Sequence, residues 1–273
     1  MAIRYASNPP HTQIMPHRHR IQFPPRDAND LEQDEVTFHL IEGERRLQLR
    51  FHDYPQIYLR PGLYEQVFYD RLKCTSPKKV GEILKRTLDA SEQNFTEMRV
   101  LDLGAGNGIM GEVMKGYGVA RLVGVDIIPE AKDACYRDRP GIYDEYYVAD
   151  FTNLKPDLID EISDWSIDCL TSVAALGFGD IPPSAFFQAL RFVNPAGWVA
   201  FNIKETFLDK SDTSGFSRLV RELLFSEYLD IYHMEKYRHR LSMEGTPLYY
   251  FALVAQKMAE IPEDFLQRHE IEA

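Results

Sequence analysis

Apolar and polar positions along this chain follow two rhythms. Residues 36–41 and 46–51 alternate with a period of two, and Glu42-Gly43-Glu44 lies between them as a turn, so a β-hairpin is predicted there. From residue 76 the spacing lengthens. Val80, Ile83, Leu84, Thr87 and Leu88 mark one face of a helix, with Ser76 as its cap and Pro77 at its first position. Short apolar runs then recur at 100–103, 122–126, 146–151, 167–173 and 198–203. Helical stretches are predicted at 109–117, 129–137, 184–192 and 215–226, and two long strands, 229–238 and 248–255, close the pattern. Strands alternating with helices build a parallel sheet, and a final strand pair adds an antiparallel hairpin.

Residues 1–34 show no such rhythm. They are polar and proline-rich, and predict a mobile or loosely packed arm. Its dense cluster, His17-Arg18-His19-Arg20, reads either as a solvated tail or as an anion-binding arm or lid. Three regions follow: an N-terminal arm with β-hairpin extension over 1–60, a main domain over 61–258, and an acidic C-terminal tail over 259–273, helical or partly disordered. The extension could dock on the main domain, join two copies into a homodimer, or help recognise a substrate.

Composition narrows the function. The 273 residues carry a formal charge of −11, which disfavours a nucleic-acid partner. No apolar run approaches the ~20 residues that span a bilayer, and no signal-peptide pattern is present. Cys74, Cys135 and Cys169 are scattered without paired spacing, so neither a disulfide frame nor a metal site is expected, and a reducing, cytoplasmic setting is.

The candidate chemistry centres on Asp102-Leu103-Gly104-Ala105-Gly106-Asn107-Gly108, a glycine-rich turn between a strand and a helix. Gly106 to Gly111 matches the G-x-G-x-x-G dinucleotide fingerprint, a weak signal alone. Charge separates the readings. A dinucleotide presents a pyrophosphate to the helix N-terminus, and Asp102 beside it would repel that anion. S-adenosyl-L-methionine presents a sulfonium and an ammonium, which suit an acid there. Asp126 ends the second strand, about 20 residues after Gly106, where a ribose-binding carboxylate belongs. Asp150 ends the third and is placed to accept from an adenine amino group, with Phe151 covering the ring.

The segments VLDLGAGNG, GVDIIPEA, VADF and NPAGWVAF resemble, in order and spacing, class I S-adenosylmethionine-dependent methyltransferases over roughly residues 64–257. AALGFGDIPPSAFFQALRFVNPAGWVAF and RPGIYDEYY look, more narrowly, like the methyltransferase-like proteins named for the Williams–Beuren syndrome region. The resemblance implies an α/β, Rossmann-like, seven-stranded, mostly parallel sheet with an antiparallel C-terminal hairpin. The N-terminal hairpin departs from that pattern. The resemblance also implies that Gly104, Ala105, Gly106 and Gly108 line the methionine moiety and that Asp102 acts on its ammonium. Asp126 would hold the ribose, Ile127 would lie against the adenine, Asp150 and Phe151 would bind it, and Ser172, Val173 and Ala174 would face the methyl group. The family's upstream tyrosine–acid pair maps onto Tyr64-Glu65.

Methyl transfer is an in-line displacement that rests mainly on positioning and water exclusion. A base is needed only where the acceptor must lose a proton. Candidates are Tyr64, His233 and His239, with Glu205 after the fifth strand; structural or solvent-facing roles stay open for the histidines and Glu205. Asp180-Ile181-Pro182-Pro183 differs in place and length from the D/N-P-P-Y turn of amino-group DNA methyltransferases. The expected function is therefore methyl transfer to an O or N atom of a small-molecule acceptor, lined in part by some of the 15 tyrosines and 16 phenylalanines. The alternatives are a nicotinamide-dependent oxidoreductase and a catalytically silent binding module that keeps the fold.

Overall fold

The protein is described from a computed structural model over residues 18–24, 36–177, 180–209 and 211–271. Strands β1 (Arg20–Gln22), β2 (Thr37–Glu42) and β3 (Arg45–Arg50) form a three-stranded antiparallel sheet in the order β1-β2-β3. The predicted hairpin is thus present. Part of the supposed loose arm is a strand: His19 and Gln66 exchange two backbone–side-chain hydrogen bonds of 2.8 and 2.7 Å, which holds β1 in place. His17 and the arm before it lie outside the described residues.

Two short helices follow, α1 (Tyr54–Tyr58) and α2 (Leu63–Glu65), the second running on into a wide-turned segment, Gln66–Arg71. They seal the small sheet with a core of Phe38, Leu40, Phe51, Ile57, Leu63 and Val67. Helix α3 (Ser76–Ala90) begins one residue earlier than a serine cap requires. Thr75 is the boundary residue, and the Ser76 hydroxyl is drawn instead into a buried network described below.

The main sheet then alternates with helices: β4 (Arg99–Leu103), α4 (Ile109–Gly116), β5 (Arg121–Asp126), α5 (Pro129–Asp138), β6 (Glu145–Val148), α6 (Pro156–Asp164), β7 (Cys169–Ser172), α7 (Pro183–Arg191), β8 (Trp198–Lys204), α8 (Phe216–Phe225), β9 (Leu229–Leu241) and β10 (Pro247–Lys257). The order is β6-β5-β4-β7-β8-β10-β9, parallel from β6 to β8 and antiparallel thereafter. This is the expected Rossmann-like, seven-stranded α/β sheet with its antiparallel end. The central strands are buried on both faces, which explains their unbroken apolar runs. Helices α3–α5 cover one face and α6–α8 the other.

Three details differ from the sequence reading. Helix α6 was not predicted. Strand β6 stops at Val148, so Asp150 lies in the turn beyond it. The acidic tail is anchored: Ile261, Phe265 and Ile271 are buried in the core, Phe265 belongs to a short helix α9 (Phe265–Arg268), and its ring stacks on Phe187 at 5.7 Å.

Candidate functional site

A cavity of about 350 Å³ opens where the parallel strands end. Its floor is the β4–α4 turn, its sides are the residues that follow β5, β6 and β7, and Tyr54, Tyr58, Tyr64 and Tyr69 roof it.

The turn is shaped by backbone conformations that L side chains rarely adopt. Gly104 has φ +75 and Gly106 φ +53. A Cβ on Gly104 would stand 2.7 Å from the Ala175 Cβ, and one on Gly106 would stand 2.5 Å from the Tyr58 hydroxyl. The amides of Gly104 and Ala105 both donate to the Val125 carbonyl at 2.9 Å, which fixes the turn against β5. Asp126 completes the arrangement. One carboxylate oxygen accepts from the Gly106 amide at 2.9 Å and the other from the Ile128 amide at 3.0 Å. Each oxygen keeps a lone pair for a ligand hydroxyl. Burial pushes the pKa of this carboxyl up, against the pull of the two amides.

Gly104, Ala105, Gly106, Asp126, Ile127, Asp150, Phe151, Val173 and Ala174 all line this one cavity. Ile127 is 56% exposed at its mouth, whereas Phe151 is buried. Asp150 is exposed, and one of its oxygens accepts from the Thr152 amide and hydroxyl.

Three other expected residues do not line the cavity. Asp102 is buried beneath the turn, and its two oxygens accept from the Tyr143 hydroxyl at 2.6 Å and the Thr171 hydroxyl at 2.7 Å. Its environment serves the turn, and burial raises its pKa to about 6 despite those two donors. Gly108 is the left-handed residue before α4 and faces Cys135, Ile142 and Arg139. Ser172 is buried, and its hydroxyl ties β7 to β4 through the Leu103 carbonyl.

The base candidates separate. Tyr64 lines the cavity, and burial pushes its phenol above the ordinary range. Its neighbour Glu65 does not line it; Glu65 accepts from Asn107 at 2.6 Å and pairs with Arg139 at 3.0 Å, steadying the turn from behind. His233 stands on β9 within 3.2 Å of the Glu235 carboxylate, away from the cavity, and Glu205 pairs with Lys236 at the surface. His239 also stands outside the main cavity. It is buried, stacks on Tyr250 with ring centroids 4.1 Å apart, and burial holds its pKa well below the usual histidine range.

His239 does reach a side pocket of about 50 Å³, which shares His52, Tyr54, Tyr64, Ala174, Ala175 and Asp180 with the main cavity. Behind it runs a buried network. The Ser76 hydroxyl is 2.6 Å from His239 Nδ1, the Tyr237 hydroxyl donates to Ser76 Oγ, and Asn202 Nδ2 donates to Tyr237. Asn202 Oδ1 accepts at 2.6 Å from the amide of Ala174, whose φ of +59 is strained for alanine. Strain of that kind, about 1–3 kcal/mol, persists where neighbours over-determine it.

Sequence reasoning missed His52, Asp180 and Arg240. The His52 ring nitrogen Nδ1 stands 2.9 Å from the Asp180 carboxylate, and the Tyr54 hydroxyl approaches Asp180 at 3.4 Å. The Asp180-Ile181-Pro182-Pro183 segment was noticed only for what it is not, and nothing local marks its acid as a cavity residue. Among the described residues no group of histidine, cysteine and acid side chains has the makings of a metal site.

Residues 77–248 match a family model described as a methyltransferase domain. No curated protein sequence matches the chain. Among solved structures it is similar to the N-methyltransferase NodS of Bradyrhizobium japonicum in complex with S-adenosyl-L-homocysteine. That match has 10% identity and a TM-score of 0.50, over 76% of this chain and 97% of that one. It is also similar to the magnesium protoporphyrin IX methyltransferase of Synechocystis with bound SAM, at 12% identity and a TM-score of 0.47, over 66% of this chain and 79% of that one.

Proposed function

The chain belongs to the methyltransferase-domain family, and we propose that it transfers the methyl group of S-adenosyl-L-methionine to an O or N atom of a small-molecule acceptor. The observation that carries this reading is Asp126. Its carboxylate is oriented by two amides beside a glycine turn, so it accepts ribose hydroxyls, and it already occupies the Gly106 amide that a pyrophosphate at the turn would need. Ile127 and Phe151 then flank the adenine, Asp150 accepts from its amino group, and the Gly104–Gly106 backbone follows the methionine moiety. When bound, the donor supplies a methyl group already activated by a sulfonium.

The remaining work falls to the chain. The tyrosine roof excludes water, and Ala174 and Tyr64 bound the space in which acceptor and donor meet. Where the acceptor must lose a proton, the His52–Asp180 pair on the cavity wall takes it. Tyr64, His233 and His239 are then not the bases: the first is a buried phenol and the histidines stand elsewhere. Because His52, Tyr54 and Tyr58 line the cavity, the 1–60 extension acts as part of the site, and residues 61–258 carry the donor turn. Within the family, residues 174–201 support a place near the Williams–Beuren region proteins.

The test is calorimetric. Asp126→Ala weakens S-adenosylhomocysteine binding by about 30-fold, the loss of a charged hydrogen-bond acceptor worth about 2 kcal/mol. Unchanged affinity, or NADH bound in place of S-adenosylhomocysteine, sinks the reading.

A further inference from the structure

Resting on that donor reading, we propose that the acceptor carries a carboxylate held by Arg240 in the side pocket, at the end remote from the atom that is methylated. Arg240 is only 5% exposed, yet among the described residues it makes no ion pair. Its guanidinium donates once, from Nη1 to the Leu241 carbonyl at 3.0 Å, and lies over the Phe51 ring at 5.6 Å. The other deeply buried cation, Lys257, is treated differently. Its ammonium is bonded to two carbonyls, those of Arg191 and Val193, and to Glu260. A guanidinium stays charged in proteins, and a buried charge without a counter-ion is expensive.

The backbone puts Arg240 there deliberately. Along β9 exposed and less exposed residues alternate until Arg238. The pairing with β10 then slips: Arg238 faces Tyr249 and Arg240 faces Leu248, so His239 has no partner across the strand. This bulge buries His239 and Arg240 in succession and turns both onto the side pocket. Bulges re-aim side chains in this way beside active sites.

The pocket suits a flat acid. Phe51, Tyr54, Tyr64, Phe68 and Tyr250 wall it. Its single acid, Asp180, is occupied by His52 and Tyr54. The planar fork of Arg240 matches a carboxylate through two parallel hydrogen bonds. Arg240 lines the side pocket and not the main cavity, so the anion sits beyond Ala174 and the rest of the molecule extends toward the donor.

The experiment is calorimetry on the full chain saturated with S-adenosylhomocysteine. The probes are benzoate, phenylacetate and 4-hydroxybenzoate, each against its amide, with phenyl phosphate as a further arm. At least one acid should bind about tenfold or more tighter than its amide. Arg240→Met should erase that preference, Arg240→Lys should keep part of it, and S-adenosylhomocysteine affinity should stay within about twofold in both. Equal binding of acids and amides in the wild type overturns the proposal, as does a preference that survives Arg240→Met. Tighter binding of phenyl phosphate than of every acid overturns the carboxylate. Should Arg240→Met fail to fold, Arg240→Lys and the wild-type contrast decide. Wild-type protein that ignores S-adenosylhomocysteine overturns the donor reading instead, a separate result from the same titration.

Discussion

The donor cavity and the side pocket are built on opposite plans. The cavity floor is backbone: two left-handed glycines, two amides that share the Val125 carbonyl, and one carboxylate held by two N–H groups, drawn from short stretches at successive strand ends. The side pocket is side chain: rings and charges from residues 51–68, Asp180, His239, Arg240 and Tyr250 meet only in the fold. A site made of backbone has little tolerance for change, because each glycine answers a conformation. A site made of side chains keeps its frame while its chemistry varies.

The sharpest way to break this contrast is Gly106→Val. A β-branched residue at φ +53, facing the Tyr58 hydroxyl, should cost 3 kcal/mol or so and weaken S-adenosylhomocysteine binding by about 100-fold or more, read by calorimetry. Retained binding would mean that the turn is softer than its geometry.

The two halves should also answer pH with opposite sign. Folded, Asp102 keeps its proton to about pH 6, whereas an unfolded aspartate releases it near its ordinary value of ~3.9. The native state therefore binds more protons in that window, and its stability falls as pH rises from about 4 to 6, by about 3 kcal/mol. His239, buried uncharged, behaves in reverse: the unfolded chain takes up a proton below about pH 6.5, so stability is lost as pH falls through that value. Urea denaturation of Asp102→Asn and His239→Gln against the wild type should flatten one limb each. Two variants that flatten the same limb would contradict the assignment.

Asn202→Leu tests the seam. It strands the Ala174 amide and removes the donor to the Tyr237 hydroxyl, which keeps Ser76 as its acceptor, at a cost of about 2 kcal/mol in unfolding free energy. A neutral outcome would show that Ala174 is held by its neighbours without Asn202.

The same contrast explains what was legible. Strand β5 ending in Asp126 could be read because an apolar run, an acid and a glycine turn lie within one window. The C-terminal hairpin was legible because one of its strands alternates over many residues and the other is a long apolar run. Helix α6 was not: Pro156–Asp164 is short and acidic, and only a few apolar positions show its period. Asp102 misled because an acid before a glycine turn reads the same whether it faces a ligand or, as here, two hydroxyls from Tyr143 and Thr171. Arg240 was invisible for a different reason. Its burial comes from one extra residue in a strand ladder, and a slip in register leaves no mark in composition or local period.

One consequence follows from the pinned amide of Ala174. Ala174 stands on the wall shared by both pockets, and the partner of its amide is an asparagine on β8, outside the glycine turn. On the proposed function, a compound that merely imitates the donor leaves the aromatic recess beyond Ala174 unfilled. Selectivity in an inhibitor has to be gained past Ala174, with a short rigid bridge that carries an acidic tip into the aromatic recess.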